Sequence, residues 1–284
     1  MSATPSSIFR ALGREPQRQP ARVEPRPQLL SLAADPEQWF LLQPPPRVDA
    51  EAPLMVSVHG VTRNALEHAQ AFSTVARERG AALLVPIFDE RRNRRYQRLG
   101  RERSALRSDL GLLAMVGEAR ARLHLNPTPL RLFGYSGGGQ FVHRFAMLYP
   151  ELVARVAVGA AGWYTFPDAN EAFPHGLGDT ASASLPAPRM DALLRVPAAV
   201  FVGVRDDEHD AKFNACQTLV AQQGINRIER GQRWIAAMRT AARSRGFSTD
   251  YRFELLPECD HSFTRCVRRG GLRERVIDFL FPVS

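Results

Sequence analysis

Short β-rich runs alternate with longer helical patterns through most of this chain, and that alternation restricts the fold more than any other feature of the sequence. The runs are PLMVSVHGV (53–61), AALLVPIF (81–88), PLRLFGYS (129–136), VARVAVGAAG (153–162), AAVFVGVRD (198–206) and YRFELLPEC (251–259). Several are apolar at consecutive positions, the pattern of a strand covered on both faces. Between them, apolar residues recur at helical spacing. Ala65, Ala69, Phe72 and Ala76 share one face of a helix that opens at Asn64, with Glu67 three residues on as in a capping box, and stops at Gly80. Leu112, Val116, Ala119 and Leu123 form the stripe of a second helix over about 108–123. A third helix follows Ser136, a fourth covers roughly 228–245, and the last carries Leu272, Val276, Phe279 and Leu280. Strand followed by helix, repeated, predicts an α/β domain with a mostly parallel central sheet flanked by helices on both faces. WFLL (39–42) is read as an edge strand ahead of that sheet.

A chain of 284 residues can bury the core such a sheet needs as one domain, here read as residues 29–284. Residues 1–28 hold five prolines and five arginines with almost no apolar periodicity, the composition of a disordered or docking arm. The formal charge of +9 comes almost wholly from arginine, since Lys212 is the only lysine. Such a bias follows from base composition as readily as from an acidic partner, so no nucleic-acid partner is expected. Three cysteines, an odd number, speak against a disulfide scaffold and for a reducing compartment. With no signal-like N-terminal core and no run of 18 apolar residues, a cytoplasmic protein without a membrane partner is expected.

In a parallel sheet of this kind, sites form at the carboxyl ends of the strands. One strand there ends in GYSGG (134–138), where Gly134, Ser136 and Gly138 satisfy G-x-S-x-G between a β-run and an amphipathic segment, Phe141 to Leu148. That context is a strand-to-helix turn lifting the serine hydroxyl clear of the sheet. A serine hydroxyl is a weak nucleophile at neutral pH; it needs an imidazole to take its proton and a carboxylate to hold that imidazole's tautomer. From about residue 38 to 282 the chain resembles the α/β-hydrolase superfamily, on the turn around Ser136 and on matches in the order nucleophile, acid, histidine. The resemblance implies Asp206 as the acid, in the G-x-x-D spacing from Gly203 within VGVRDDEHD, with Asp207 second and Glu208 and Asp210 in the same polar turn. It implies His261 in ECDHSF as the histidine, and the backbone N–H groups of Val61, in VSVHGV, and Gly137 as an oxyanion hole. In ECDH the glycines that often precede this histidine are missing. The superfamily's carboxylesterase and polyhydroxyalkanoate-depolymerase-like branches are the most similar in texture. They imply a serine esterase acting on a small-molecule ester or a short polyester segment through an acyl-enzyme, without a cofactor.

The same residues serve other roles. A peptidase or acyltransferase would use the same three groups, and a non-catalytic binding module for anionic polymer is the alternative of another class. His59 is expected to brace the oxyanion turn, and Asp260 adjoins His261 in sequence and so is not expected to face it. Cys259 and Cys266 bracket the histidine and are expected to be free thiols. The connection 163–195 is too short for a large cap, which leaves an open site, and Trp163, Tyr164 and Phe166 at its start are candidate pocket residues. No metal-binding spacing or nucleotide loop occurs in the sequence. RRNRRYQRLGRER (91–103) sets seven arginines against one glutamate after the strand AALLVPIF, and should emerge on the same face as Ser136, mainly as a solvated loop.

Overall fold

A computed structural model describes residues 26–47, 49–99, 106–180, 185–207 and 216–282; the arm up to residue 25, Arg101, Arg103, Glu208 and Asp210 lie outside them. The strands are β1 (Gln28–Leu32), β2 (Asp35–Gln43), β3 (Leu54–Val58), β4 (Ala82–Ile87), β5 (Leu130–Tyr135), β6 (Val153–Gly159), β7 (Ala198–Gly203) and β8 (Tyr251–Leu256). They form an eight-stranded sheet in the order β1-β2-β4-β3-β5-β6-β7-β8. From β4 to β8 every pairing is parallel, while β1–β2 and β2–β4 are antiparallel. The helices that matter for the site are α1 (Ala65–Glu78), α2 (Ser108–Leu123), α3 (Gly137–Leu148), α4 (Met190–Leu193), α5 (Gln217–Gln223), α6 (Arg227–Arg243), α7 (Phe263–Arg268) and α8 (Leu272–Leu280). None is long and apolar enough to cross a membrane, among the described residues.

All six runs read from the sequence are strands. WFLL is corrected: it lies in β2, second from the edge, and the outermost strand is β1, a short QLLSL run folded back on β2 as a hairpin. The VARVAVGAAG run ends as a strand at Gly159, and Ala160 then takes a positive φ of 42°. The capping box at Asn64 is corrected too. The Asn64 side chain does not receive the helix N–H; its oxygen accepts from the Gly60 N–H at 3.3 Å and its amide donates to Glu67 at 3.1 Å. The helix start is thereby tied to the turn after β3.

Side chains alternate across the strands, so each face of the sheet has its own core. Val56, Leu132, Val158 and Val200 pack with α2, α3 and α6 on one face. Met55, Phe133, Ala157 and Phe201 pack with α1, α7 and α8 on the other. The four stripe residues of α1 are buried, three of them alanines, which lets this helix lie close against the sheet. Leu112, Val116 and Ala119 are buried on α2, with Leu123 half-buried at its end.

Buried histidines pin the segments that follow the strands. His59 is fully buried, with Nδ1 2.8 Å from the Gly60 carbonyl and Nε2 accepting from the Phe88 N–H at 3.1 Å. His143 on α3 repeats the arrangement, Nδ1 on the Gly139 carbonyl at 2.8 Å and Nε2 accepting from the Thr165 N–H at 3.0 Å. His68 pairs with Ser57 at 2.9 Å and stacks on Phe263, ring centroids 4.1 Å apart. In His59 and His143 a backbone N–H occupies the lone pair that a proton would need, so each ring is neutral. Burial lowers the His59 pKa to about 4, and holds those of His68 and His143 well below the usual histidine range. A histidine depressed in the folded state favours folding fully above the unfolded value near 6.5 and withdraws that support as pH falls toward its folded value. For His59 alone the loss approaches ~3 kcal/mol at about 1.4 kcal/mol per unit. Stability measured by urea midpoints should therefore drop steeply between about pH 6.5 and 4, with net proton uptake on unfolding across that window.

Candidate active site

The turn after β5 brings backbone segments closer together than a side chain would allow. Ser136 sits between strand and helix with φ 53° and ψ −113°, a conformation an L residue adopts only when its surroundings impose it. A Cβ on Gly134 would lie 2.2 Å from the Gly138 carbonyl oxygen, and one on Gly138 would lie 2.0 Å from the Val58 oxygen. Only glycines allow β5, α3 and the end of β3 to meet this closely. Ser136 is thus presented at the amino end of α3, whose first amides have no intrahelical acceptor.

Beside it, the turn after β3 carries His59, Gly60 and Val61. Tyr96, buried, donates its hydroxyl proton to the His59 carbonyl at 2.7 Å, and Arg63 lies over the Tyr96 ring. As the sequence suggests, His59 braces this turn, since both ring nitrogens are engaged with backbone. The Val61 nitrogen lies 3.3 Å from where a Gly137 side chain would begin, so the start of α3 packs directly against this turn.

The carboxyl ends of β7 and β8 bring the other groups. His261 Nε2 lies 3.0 Å from Ser136 Oγ, and His261 Nδ1 lies 2.8 Å from Asp206 Oδ2. Asp206 is 2% exposed in a turn closed by its own N–H on the Gly203 carbonyl at 3.0 Å, whereas Asp207 is exposed. Asp260 faces away: one oxygen accepts from the Ser262 N–H at 3.0 Å and the other pairs with Arg265. Ser262, not His261, caps α7. In the ECDH loop Glu258 adopts a positive φ of 56°, making the left-handed turn without glycine. Cys259 and Cys266 are free and buried, and burial pushes the Cys266 thiol up to about 12.

Arg227, which nothing in the sequence singles out, completes the arrangement. It is the first residue of α6, 3% exposed, and its Nη1 donates to Asp206 Oδ1 at 2.9 Å. Each Asp206 oxygen is thus held by a different partner, and the carboxylate plane is fixed toward the imidazole.

The pocket over Ser136 encloses ≈ 730 Å³ and is lined by Val61, Arg98, Gln140, Trp163, His261 and Phe263, among others. Of the aromatic residues expected to form it, only Trp163 does. Tyr164 is a correction: it is fully buried and stacks on Trp234, ring centroids 5.0 Å apart, beneath α6. Phe166 is another, packed against the core on the same face. The direction of the chain after β6 turns these side chains inward once Trp163 has passed the rim. The described part of 163–195 adds only the one-turn α4, so no cap covers the pocket there. The arginine stretch is divided rather than uniformly solvated: Arg92 is committed to Asp35 at 2.8 and 2.7 Å on the sheet edge, Arg94 is exposed, and Arg98 lines the pocket.

No family model matches this chain, and no curated protein matches its sequence. Solved structures do. Poly(aspartic acid) hydrolase-1 from Sphingomonas sp. KT-1 superposes with a TM-score of 0.73 at 22% identity, over 91% of this chain and 99% of that one. A poly(3-hydroxybutyrate) depolymerase from Bordetella parapertussis gives 0.68 at 21% identity, over 86% and 83%. An S-formylglutathione hydrolase from Agrobacterium tumefaciens gives 0.55 at 16% identity, over 86% and 90%. The chain therefore has the α/β-hydrolase fold.

Breaking the Arg227–Asp206 pair by Arg227→Met leaves a buried carboxylate with one partner fewer, and stability should fall by about 3 kcal/mol. Adding Asp206→Asn to that variant should recover part of the loss in a double-mutant cycle read by thermal unfolding. Strict additivity would show that the pair carries no coupling.

Proposed function

We propose that this protein is a serine hydrolase of carboxylic esters, acting through an acyl-enzyme. The observation that carries the reading is the unbroken hydrogen-bonded chain from Ser136 Oγ through His261 to the buried Asp206. Ser136 Oγ attacks the ester carbonyl carbon while His261 Nε2 takes its proton. Asp206 fixes the imidazole with hydrogen on Nδ1 and stabilises the cation formed. Charge that develops on the carbonyl oxygen is met by the N–H groups of Val61 and Gly137, and by the amino end of α3. The tetrahedral intermediate collapses, His261 returns its proton to the departing alcohol, and an acyl-Ser136 ester remains. Water, deprotonated by the same imidazole, then releases the acid and restores the serine. The roles call for no cofactor.

An open pocket with one aromatic wall suits an ester of modest size or a short polyester segment, in keeping with the likeness to a poly(3-hydroxybutyrate) depolymerase. Amide cleavage is the second reading, favoured by the likeness to a poly(aspartic acid) hydrolase, and would run through the same acyl-enzyme. Incubation with an alkyl fluorophosphonate should add one adduct by intact mass, located on Ser136, because the reagent needs an activated serine. Absence of labelling in the wild type would replace the hydrolase with a binding module for anionic polymer.

Asp206→Asn should keep the fold yet leave His261 in the wrong tautomer, lowering kcat by up to about 10⁴. Asp207→Asn, at an exposed carboxylate outside the chain of hydrogen bonds, should lower it by less than about threefold. A reversed ranking in steady-state kinetics would move the acid to Asp207.

A further inference from the structure

Arg144, on α3 two turns beyond Ser136, is fully buried, and no carboxylate is among its partners in the described residues. Its Nε donates to Thr165 Oγ1 at 2.9 Å, and its Nη1 donates to the carbonyl of Gln97 and, at 3.3 Å, to the carbonyl and side-chain oxygen of Gln140. Its Nη2 is buried and has no hydrogen-bond partner among the described residues. A buried cation without a counter-charge is costly, and here burial and the nearby charge of Arg98 both disfavour the charged form. Gln140 is 8% exposed and lines the pocket. With its oxygen turned to Arg144, its Nε2 faces Gly162, another lining residue, and donates to no acceptor among the described residues. The guanidinium carbon of Arg144 lies 4.1 Å from the Trp163 ring centroid and that of Arg98 5.2 Å from it. Across Ser136, on the side of α1 and α7, the pocket is lined by Glu67, which accepts from Asn64 and Thr264.

We propose that the Trp163 end of the pocket is a carboxylate subsite: Arg98 and the Gln140 amide bind an anionic group of the substrate, which supplies the counter-charge that Arg144 lacks. The proposal rests on the reading of Ser136 as nucleophile and names the substrate class, esters bearing a carboxylate. Gln140 lies four residues along α3 from Ser136, about 6 Å of helix axis, so the carboxylate stands some four methylenes from the scissile carbonyl. Glu67 repels an anion entering at the other end, which sets the direction in which the substrate lies.

The test compares monoethyl adipate with ethyl adipamate, which have the same length and differ in the charge of the far end. The wild-type kcat/KM should favour the adipate by about tenfold or more, as a charge-assisted pair implies. Arg98→Gln should bring that ratio close to one, and Gln140→Leu should lower it severalfold. Arg94→Gln, in the same loop but exposed, should keep the wild-type ratio, and so should about 0.3 M salt, which screens long-range attraction by the loop more than a direct contact. A wild-type ratio near one, or one unaltered by Arg98→Gln, overturns the subsite. A ratio lost equally in Arg94→Gln and in salt overturns it in favour of diffuse steering. Should neither ester turn over and no fluorophosphonate label appear, the hydrolase reading fails on its own. Calorimetry of adipate on Ser136→Ala then decides the subsite: binding weakened about tenfold by added Arg98→Gln supports it, and equal binding overturns it.

Discussion

Three backbone segments meet where the Gly138 α-carbon touches the end of β3, and the site depends on that contact. A side chain at Gly134 or Gly138 would overlap main-chain atoms at 2.2 and 2.0 Å. The same contacts set the start of α3 beside the turn that carries Val61, whose nitrogen lies 3.3 Å from where a Gly137 side chain would begin. The strained φ of Ser136 is tolerated because strand, helix and neighbouring turn over-determine it. His59, Tyr96 and Asn64 then hold the neighbouring turn from three sides.

Electrostatics divide the same pocket. The cores on the two faces of the sheet are apolar, yet each sends a polar group to the rim: Gln140 from the α3 side and Glu67 from the α1 side. Ser136 lines the same pocket. The lining also holds a cation, Arg98, along with the anion Glu67, so the pocket is not of one polarity.

Much of this was legible in the sequence, for identifiable reasons. Strands buried on both faces announce themselves as apolar runs, and the glycines around Ser136 are a sharp signal because few other turns need two of them at that spacing. Asp206 and His261 could be read through the family resemblance, which places an acid and a histidine after the last two strands of the parallel sheet. β1 was not, since five residues beside a proline-rich arm carry too little pattern to register. Arg227 was hidden by abundance, one arginine in a chain where arginine is nearly the only base, and Arg98 was read only as one of seven arginines in a stretch expected on the Ser136 face. Gln140 was hidden by type, since an amide one turn into a helix has no signature. Tyr164 and Phe166 failed for a different reason: apolar aromatics in succession cannot show which of them the chain turns inward.

The loops carrying Asp206 and His261 are fastened to each other as well as to their strands. The Arg205 N–H donates to the Cys259 carbonyl at 2.8 Å, and Gly203 leaves no room for a side chain against that same carbonyl. β8, however, is the last strand of the sheet, paired on one side only. His261 is therefore mounted on the margin of the fold, while Ser136 and the turn beside it are mounted at its centre. The two ends of the hydrogen-bonded chain differ in local stability: peeling of one outer ladder parts the His261 imidazole from the Ser136 hydroxyl while the turn around Ser136 remains intact.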